Sequence, residues 1–288
     1  MFGRRPDGRR LDDIDPIVTV MPYIMPTRND ACNLVTEYVD YEPIADYIRR
    51  RSKAGGKVSF MGLLIAAYVR VVSQYPEMNR FISNRQVFAR NQILVSLTVL
   101  RNTKNKENLD EALIKMNFKP DATIDEVTEQ IERETKEATD ADADNGTVDF
   151  ATKLVKFRLL VIWVVALARF LDRYGLMPSF IYKVSPFHCS MFITNMASIG
   201  MPSLYHHLYN FGNTSAFLAL GKFEKQVILT REGPKTKTVI PIGVTTDERI
   251  CGGASYARAF AYFKNLLLDP SQLEKRPDKI VTETAYKN

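Results

Sequence analysis

The residues most able to do chemistry lie together near the end of the chain. Asp247, Glu248 and Arg249 are followed by Cys251 and a glycine pair, in the order D-E-R-I-C-G-G. A carboxylate can act as a general base when its surroundings raise its proton affinity, and a thiol needs a base beside it to act as a nucleophile. No base adjoins Cys251 in the sequence, so we interpret it as a small buried thiol.

The three histidines are the other candidates for acid-base or metal chemistry. They stand at His188 and at the pair His206-His207, outside any recognised motif, so we interpret each as a hydrogen-bonded structural residue. A metal site would need further ligands, and the cysteines have no CxxC spacing that could supply them. The cysteines are three in number and far apart: Cys32, Cys189 and Cys251. We therefore predict no metal, no disulfide framework and a reducing, cytoplasmic location.

Composition indicates an ordinary globular protein. The 288 residues are 45% hydrophobic and 25% charged, which is compatible with one large α/β domain, and we take residues 1–288 as a single domain. The formal charge of +6 comes from 39 basic and 33 acidic residues without a long basic run. We therefore predict no nucleic-acid partner, whereas a phosphate-bearing small molecule stays open because a few basic side chains suffice to hold one.

A ten-residue apolar run, LLVIWVVALA from Leu159 to Ala168, stands between Arg158 and Arg169. A bilayer span needs about 20 such residues, and the continuation to Val184 brings in charges and helix breakers. We predict a helix buried in the core or at a subunit interface. A membrane-surface or partner-binding helix is the alternative, with a protein partner placed on residues 157–184, and we do not expect membrane association.

Strands and helices alternate along the rest of the chain. Branched residues predict strands at 32–40, 92–100, 112–118, 190–195, 215–221 and 237–244. Helices are predicted from Pro43 to about Arg51, after the cap Ser59 to about Tyr75, from the capping box Thr123 with Glu126 to about Ala138, and from about Ala254 to Leu268.

The segment from Val244 to Pro270 resembles the C-terminal signature of dihydrolipoamide acyltransferases. That signature has the order D-H-R-x-x-D-G, an alanine-rich helix and a terminal L-L-x-x-P, and the chain reads V-T-T-D-E-R-I-C-G-G-A-S-Y-A-R-A-F-A-Y-F-K-N-L-L-L-D-P. Four more segments occur in the family's order: Leu34 to Ile48, Val58 to Phe81, Met191 to Gly200 and Thr214 to Lys222. The resemblance covers most of the chain.

The resemblance implies the chloramphenicol acetyltransferase-like fold, a mixed α/β sheet flanked by helices. It also implies a trimer whose active-site channel lies at the subunit interface. The sequence departs from the family pattern at about residues 121–188, which we interpret as a remodelled helical arm. It shows no lipoyl-bearing module or peripheral-subunit-binding domain, so we do not expect a complete core component of a 2-oxoacid dehydrogenase complex.

The resemblance also places the catalytic positions. The family's histidine, which removes the thiol proton of coenzyme A or dihydrolipoamide, falls on Glu248, and the motif's aspartate falls on Gly252. An ordinary Glu with a pKa of about 4.3 is a poor base for a thiol near 8.5, a gap of roughly 5.5 kcal/mol. Burial can narrow that gap. By the same resemblance, the hydroxyl that stabilises the oxyanion falls on Thr194, whose simpler interpretation is a strand residue.

Two functions follow from these assignments. The first is a catalytically degenerate acyltransferase homologue, a trimeric scaffold or ligand-binding protein that requires no cofactor and for which coenzyme A is a candidate ligand. The alternative is an active coenzyme A-dependent acyltransferase with Glu248 as base and Thr194 as oxyanion donor. We take the first as the working hypothesis, with self-association as the expected partnership, as a homotrimer or a larger assembly.

Overall fold

A seven-stranded mixed sheet forms the centre of the protein. The computed structural model describes residues 5–100, 111–139 and 157–283. The ten strands of these ranges are β1 Gly8–Arg10, β2 Cys32–Asp40, β3 Arg80–Ser83, β4 Gln86–Arg90, β5 Ile93–Leu100, β6 Glu111–Phe118, β7 Met191–Asn195, β8 Ala216–Leu220, β9 Glu224–Thr230 and β10 Gly233–Asp247. In the large sheet the order is β2-β10-β8-β7-β5-β6, with β9 paired to β10.

The middle of this sheet contains two parallel strand pairings. Strand β7 runs parallel to both β5 and β8, and every other pairing is antiparallel. Strands β7 and β8 are almost continuously buried, with Ile193 and Ala219 at zero exposure. Strands covered on both faces select apolar runs instead of an alternating pattern. The apolar runs of β7 and β8 therefore fit interior strands.

A smaller sheet of order β1-β4-β3 lies apart from the large one. The two-residue turn between β3 and β4 contains Asn84 and Arg85, which both have positive φ angles of 48° and 60°. Short hairpins favour such turns because their twist matches that of the strands.

Seven helices of the described ranges pack around or beside the sheets: α1 Pro16–Ile24, α2 Tyr41–Lys53, α3 Phe60–Gln74, α4 Ile124–Thr139, α5 Arg158–Arg173, α6 Ser179–Val184 and α7 Gly253–Leu268. Helix α3 is the most deeply buried, and Leu63, Leu64 and Ile65 are fully enclosed in the main core. Its N-terminus is capped as predicted, since Ser59 Oγ accepts the Gly62 N–H at 2.9 Å.

The capping box ahead of α4 also forms. Glu126 Oε2 accepts the Thr123 N–H at 2.9 Å, and Thr123 Oγ1 accepts the Glu126 N–H at 3.4 Å. The two bonds satisfy donors that the first helical turn leaves free. Helix α4 then packs its apolar side, including Val127 and Ile131, into the main core.

The apolar run lies on a helix that is exposed, not in the core of the chain. Along α5, Leu159 and Trp163 are each 74% exposed, and Asp172 is the one buried residue. The core half of that prediction is therefore wrong, because few elements of the described ranges reach this helix, and burial at a subunit interface stays a prediction. None of the helices within the described ranges has the length and apolar character needed to cross a membrane.

Candidate active site

Strand β10 ends in a tight turn built around an ion pair. The Arg249 guanidinium donates to both carboxylate oxygens of Asp247, at 2.8 Å from Nε and 2.7 Å from Nη2, and the Arg249 N–H donates to Asp247 Oδ1 at 3.2 Å. Both side chains are almost fully buried. A buried carboxylate held in a two-pronged guanidinium contact fixes the backbone of the turn that carries Glu248 between them.

A second arginine completes this buried charge cluster. Arg28 Nε lies 3.6 Å from Asp247 Oδ2, and Arg28 Nη1 donates to the carbonyls of Tyr209 and Gly212 at 2.7 and 2.9 Å. Burial lowers the pKa of Arg28, and the neighbouring Asp247 carboxylate opposes that shift. The cluster therefore ties the N-terminal segment and the 209–212 loop to the end of β10.

Glu248 stands apart from this cluster. Its side chain is half-buried at the start of a short 3₁₀ turn. Within the described ranges it has no hydrogen bond and no ion pair, in contrast to Asp247 and Arg249 on either side. The turn thus presents a carboxylate whose backbone is fixed by its neighbours and whose oxygens have no partner among the described residues.

Gly252 occupies the N-cap position of helix α7 without a side-chain cap. Its φ of −73° suits any residue, and an added Cβ would meet no atom within 4 Å. No local backbone requirement therefore selects glycine at the position where the resemblance expects an aspartate.

Thr194 lies far from Glu248 within one chain. On β7, Thr194 is opposite Ala219 of β8, whereas the Asp247 N–H of β10 donates to the Ser215 carbonyl at the other end of β8. Four residues of strand separate these levels, or about 13 Å at 3.3 Å per residue, and β8 itself lies between them. A single subunit does not bring the predicted base and the predicted oxyanion donor together.

The surroundings of Thr194 fit a strand residue. Its Oγ1 donates weakly to the sulfur of Met196 at 3.8 Å, and the next residue, Asn195, accepts the Ser198 N–H at 3.3 Å to begin a 3₁₀ turn. The hydroxyl is half-buried and makes no strong hydrogen bond to the described part of the chain. It would be available to a partner or a ligand.

Cys251 is unsuited to nucleophilic chemistry. The side chain is buried in the main core, and burial, followed by the charge of Glu77, raises the pKa of Cys251 to about 12. A thiol is a nucleophile only as its thiolate. The interpretation of Cys251 as a small buried thiol agrees with its surroundings.

His188 belongs to a polar cluster that the sequence did not reveal. Its Nδ1 lies 2.8 Å from Ser185 Oγ and its Nε2 lies 3.3 Å from Asp172 Oδ1. This resembles the connectivity of a catalytic Ser-His-Asp arrangement. However, Ser185 and His188 are both buried, and neither lines a described cleft. The sequence offers no signal for it because residues 172, 185 and 188 come from an apolar helix and a loop.

The same cluster anchors the C-terminal end of α5. Arg5 Nη2 donates to Asp172 Oδ1 at 2.7 Å, and its Nε and Nη2 donate to the two carboxylate oxygens of Asp7 at 2.9 and 3.0 Å. Burial lowers the pKa of His188, while the Asp172 carboxylate opposes this, so the neutral imidazole is favoured. The cluster is best explained as a structural tie between the arm and the sheets.

The two remaining histidines lie on a loop over the sheet. His206 stacks on Phe217 with ring centroids 4.0 Å apart, and its Nδ1 lies 2.8 Å from the His207 carbonyl. In the described part of the chain, no three metal-ligating side chains come together. These contacts agree with a structural interpretation of His206.

Three solved structures share the architecture of this chain. The cubic core of the pyruvate dehydrogenase multienzyme complex matches with a TM-score of 0.55 and 13% identity over 91% of this chain and 94% of that chain. A probable dihydrolipoamide acetyltransferase from Listeria monocytogenes 4b F2365 matches with a TM-score of 0.56 and 11% identity over 94% and 99%. A chloramphenicol acetyltransferase matches with a TM-score of 0.52 and 16% identity over 90% and 99%.

The chain therefore has the chloramphenicol acetyltransferase-like fold, a mixed sheet flanked by helices. Within it, residues 188–274 match the family model of the 2-oxoacid dehydrogenase acyltransferase catalytic domain. No protein with a curated description matches the chain. These matches confirm the resemblance drawn from the sequence, and the matched segment contains both Thr194 and Glu248.

Proposed function

We propose that the protein is a trimeric homologue of acyltransferase catalytic domains that has lost acyl transfer and acts as a scaffold or ligand-binding protein. The observation that carries the proposal is the turn at the end of β10. Its structural pair, Asp247 and Arg249, is intact and buried, whereas the catalytic position between them is Glu248. The proposal is that the buried ion pair around the site is retained while Glu248 stands where the family's catalytic histidine would be.

Two further features support loss of catalysis. No described residue donates a hydrogen bond to Glu248 or forms an ion pair with it, so nothing in the described part of the chain organises it as a base for a thiol. The position expected to hold an aspartate is Gly252, which has no side chain to offer. Catalysis depends on groups held in a defined geometry, and a shared fold alone does not supply them.

Self-association is supported by the distance between Thr194 and Glu248. The two positions lie at opposite ends of the strands of one subunit, so a site that uses both must be assembled from two copies. The edge strand β2 also exposes Leu34, Val35 and Tyr38. Exposed apolar side chains on an edge strand favour contact with another chain. The pyruvate dehydrogenase structure that shares this fold is the cubic core of a multienzyme complex.

Helix α5 gives a direct spectroscopic test of assembly. Trp163 is the one tryptophan of the chain, and it is 74% exposed in an isolated subunit. A trimer that covers α5 would protect Trp163 from acrylamide quenching until dilution separates the subunits. Light scattering on the same samples should give three chains of 32.8 kDa. A monomeric mass at micromolar concentration would contradict the trimer.

Loss of acyl transfer is tested by calorimetry and a thiol-release assay with acetyl-coenzyme A and a panel of acceptors. We expect no release above the buffer rate, and the same rate in wild type and Glu248→Gln. Calorimetric binding of coenzyme A without turnover would show a ligand site that has lost its catalyst. Turnover that disappears in Glu248→Gln would contradict the proposal and establish the competing function, acyl transfer with Glu248 as base and Thr194 as oxyanion donor.

A further inference from the structure

A cleft of about 350 Å³ lies between α1, the β3–β4 hairpin and the C-terminal end of α5. Five arginines and one carboxylate line it: Arg28, Arg85, Arg169, Arg173, Arg249 and Asp172. We refer to it as the arginine cleft. It lies beside the buried Asp247 cluster, yet neither Glu248 nor Thr194 lines it.

The positive charge of the arginine cleft is only partly neutralised. Asp247 is shared by Arg249 and Arg28, and Asp172 is held by Arg5, which also binds Asp7. With these neighbours included, six arginines face three aspartates, an excess of +3. The excess is located on Arg85, Arg169 and Arg173, the three cleft arginines that are exposed to solvent.

Those three side chains make few contacts of their own. Arg173 Nε donates to Asn84 Oδ1 at 3.1 Å, and the Arg85 guanidinium lies 5.9 Å from the centre of the Tyr23 ring. None of the three arginines forms an ion pair with a residue of the described ranges. Arg169 and Arg173 are one helical turn apart, so their like charges repel each other unless an anion lies between them.

The backbone conformation of Arg85 also indicates a functional role for this residue. Arg85 has a φ of 60°, at the second position of a turn where glycine is preferred. Left-handed geometry disfavours any side chain with a Cβ. An arginine at this position makes the turn less stable than a glycine would, and its side chain lines the cleft. Non-glycine residues in such geometry concentrate at functional sites.

We propose that the arginine cleft binds the phosphate group of a phosphorylated small molecule. Guanidinium groups donate paired hydrogen bonds that match the spacing of phosphate oxygens, and three of them suit a doubly charged group. The volume falls in the range of small-molecule sites and exceeds that of a phosphate alone. Pro22, Ile82 and Phe211 line the remainder, so the rest of the ligand has an apolar portion.

This inference is independent of acyl transfer, and its test uses the whole 288-residue chain with inorganic pyrophosphate as the probe. Calorimetry should show saturable binding of one pyrophosphate per chain, at least about tenfold weaker in Arg169→Gln and in Arg85→Gly. The control is Arg231→Gln, an exposed arginine on the distant β9–β10 turn, which should bind as wild type does. Equal binding by all four proteins, or none by wild type, would overturn the proposal.

Arg85→Gly also separates a binding role from a structural one. Glycine suits the left-handed turn, so the variant should unfold at a higher temperature than wild type while it loses affinity. Loss of both stability and binding would instead show that Arg85 is structural and would contradict the assignment.

The ligand phosphate can come from a soluble ester or from a lipid headgroup, and a second arm distinguishes the two sources. Co-sedimentation is measured with phosphatidylcholine vesicles that contain phosphatidylglycerol. Sedimentation that Arg169→Gln abolishes and pyrophosphate competes away would identify a headgroup as the source. Pyrophosphate binding without sedimentation would identify a soluble phosphate ester. Sedimentation unaffected by Arg169→Gln would count against the cleft.

Discussion

Arg249 donates two hydrogen bonds, of 2.8 and 2.7 Å, to the carboxylate of Asp247 two residues before it. The pair is buried at the end of β10, with Arg28 Nε 3.6 Å from the same carboxylate. Two cations therefore depend on one buried anion. The residue between the pair, Glu248, takes no part in this network. The ion pair that stabilises the turn and the position that corresponds to the family's catalytic base are therefore adjacent in the chain.

The first prediction compares the same chemical change at these adjacent positions. Asp247→Asn removes the anion and leaves Arg249 and Arg28 without it, so the free energy of unfolding should fall by about 3–5 kcal/mol. Glu248 is half-buried and has no ion pair with a described residue, so Glu248→Gln should change the free energy of unfolding by no more than about 0.5 kcal/mol. Urea denaturation of both variants measures the two values. Similar losses of unfolding free energy in the two variants would contradict a structural role for Asp247 that Glu248 does not share.

Sequence reasoning located the turn that carries Glu248 but could not describe the buried ion pairs that surround it. The D-E-R order locates the turn, whereas the partners of Asp247 include Arg28, more than two hundred residues away in the chain. Pairing at that separation is decided by how the N-terminal segment packs against β10, and no local pattern records it. The separation of Thr194 from Glu248 likewise depends on strand register.

More of the fold than of the site could be predicted from the sequence. Capping signals at Ser59 and Thr123 and the branched runs of β5 and β6 are local features, and the structure contains each of them. Strand β9 was missed, since it has only three apolar residues in a row, Val227 to Leu229, between polar ones, on an exposed hairpin. The apolar run of α5 was not placed correctly as a core helix, because such a run indicates burial without indicating whether the cover comes from the same chain.

The second prediction concerns Cys251. Because burial raises the pKa of Cys251 to about 12, its thiolate fraction at pH 8 is roughly three orders of magnitude below that of an ordinary cysteine. Maleimide labelling of the native protein followed by peptide mass spectrometry should leave Cys251 unmodified, with rapid modification after denaturation in urea. Fast labelling in the native state would show that the turn opens or that the thiol is activated.

The third prediction is a pH dependence of stability. The pKa of His188 is lowered in the folded chain, so the unfolded chain binds a proton more readily, and stability falls as the pH drops below about 6.5. The pKa of Asp172 is lowered to about 2, mainly by His188 and Arg5 acting against burial, so a further loss follows as the pH falls from 3.8 towards 2.

The His188 contribution is isolated by substitution. His188→Gln should flatten the fall in unfolding free energy between pH 7 and 5, where one group contributes at most about 1.4 kcal/mol per pH unit. The pKa of His206 is lowered as well, mainly by burial, and this half-buried residue makes His206→Gln the matched control with a smaller effect. An unchanged slope in His188→Gln would show that His188 does not govern this pH range.

The last prediction uses Gly252, where the chain departs from the acyltransferase motif. An aspartate there would meet no steric obstacle and could accept a hydrogen bond from the first turn of α7, which has no side-chain cap. Gly252→Asp should therefore raise the free energy of unfolding by a few tenths to about 1 kcal/mol.

A contrasting glycine supplies the control for that substitution. Gly212 has a φ of 82°, and a Cβ there would lie 2.2 Å from the Phe187 carbonyl oxygen, so Gly212→Ala should be clearly destabilising. Thermal melts of both variants measure the two directions. If Gly252→Asp also destabilises the chain, then the glycine is required by something outside one subunit, and a neighbouring copy packed against the start of α7 becomes the explanation to test by cross-linking.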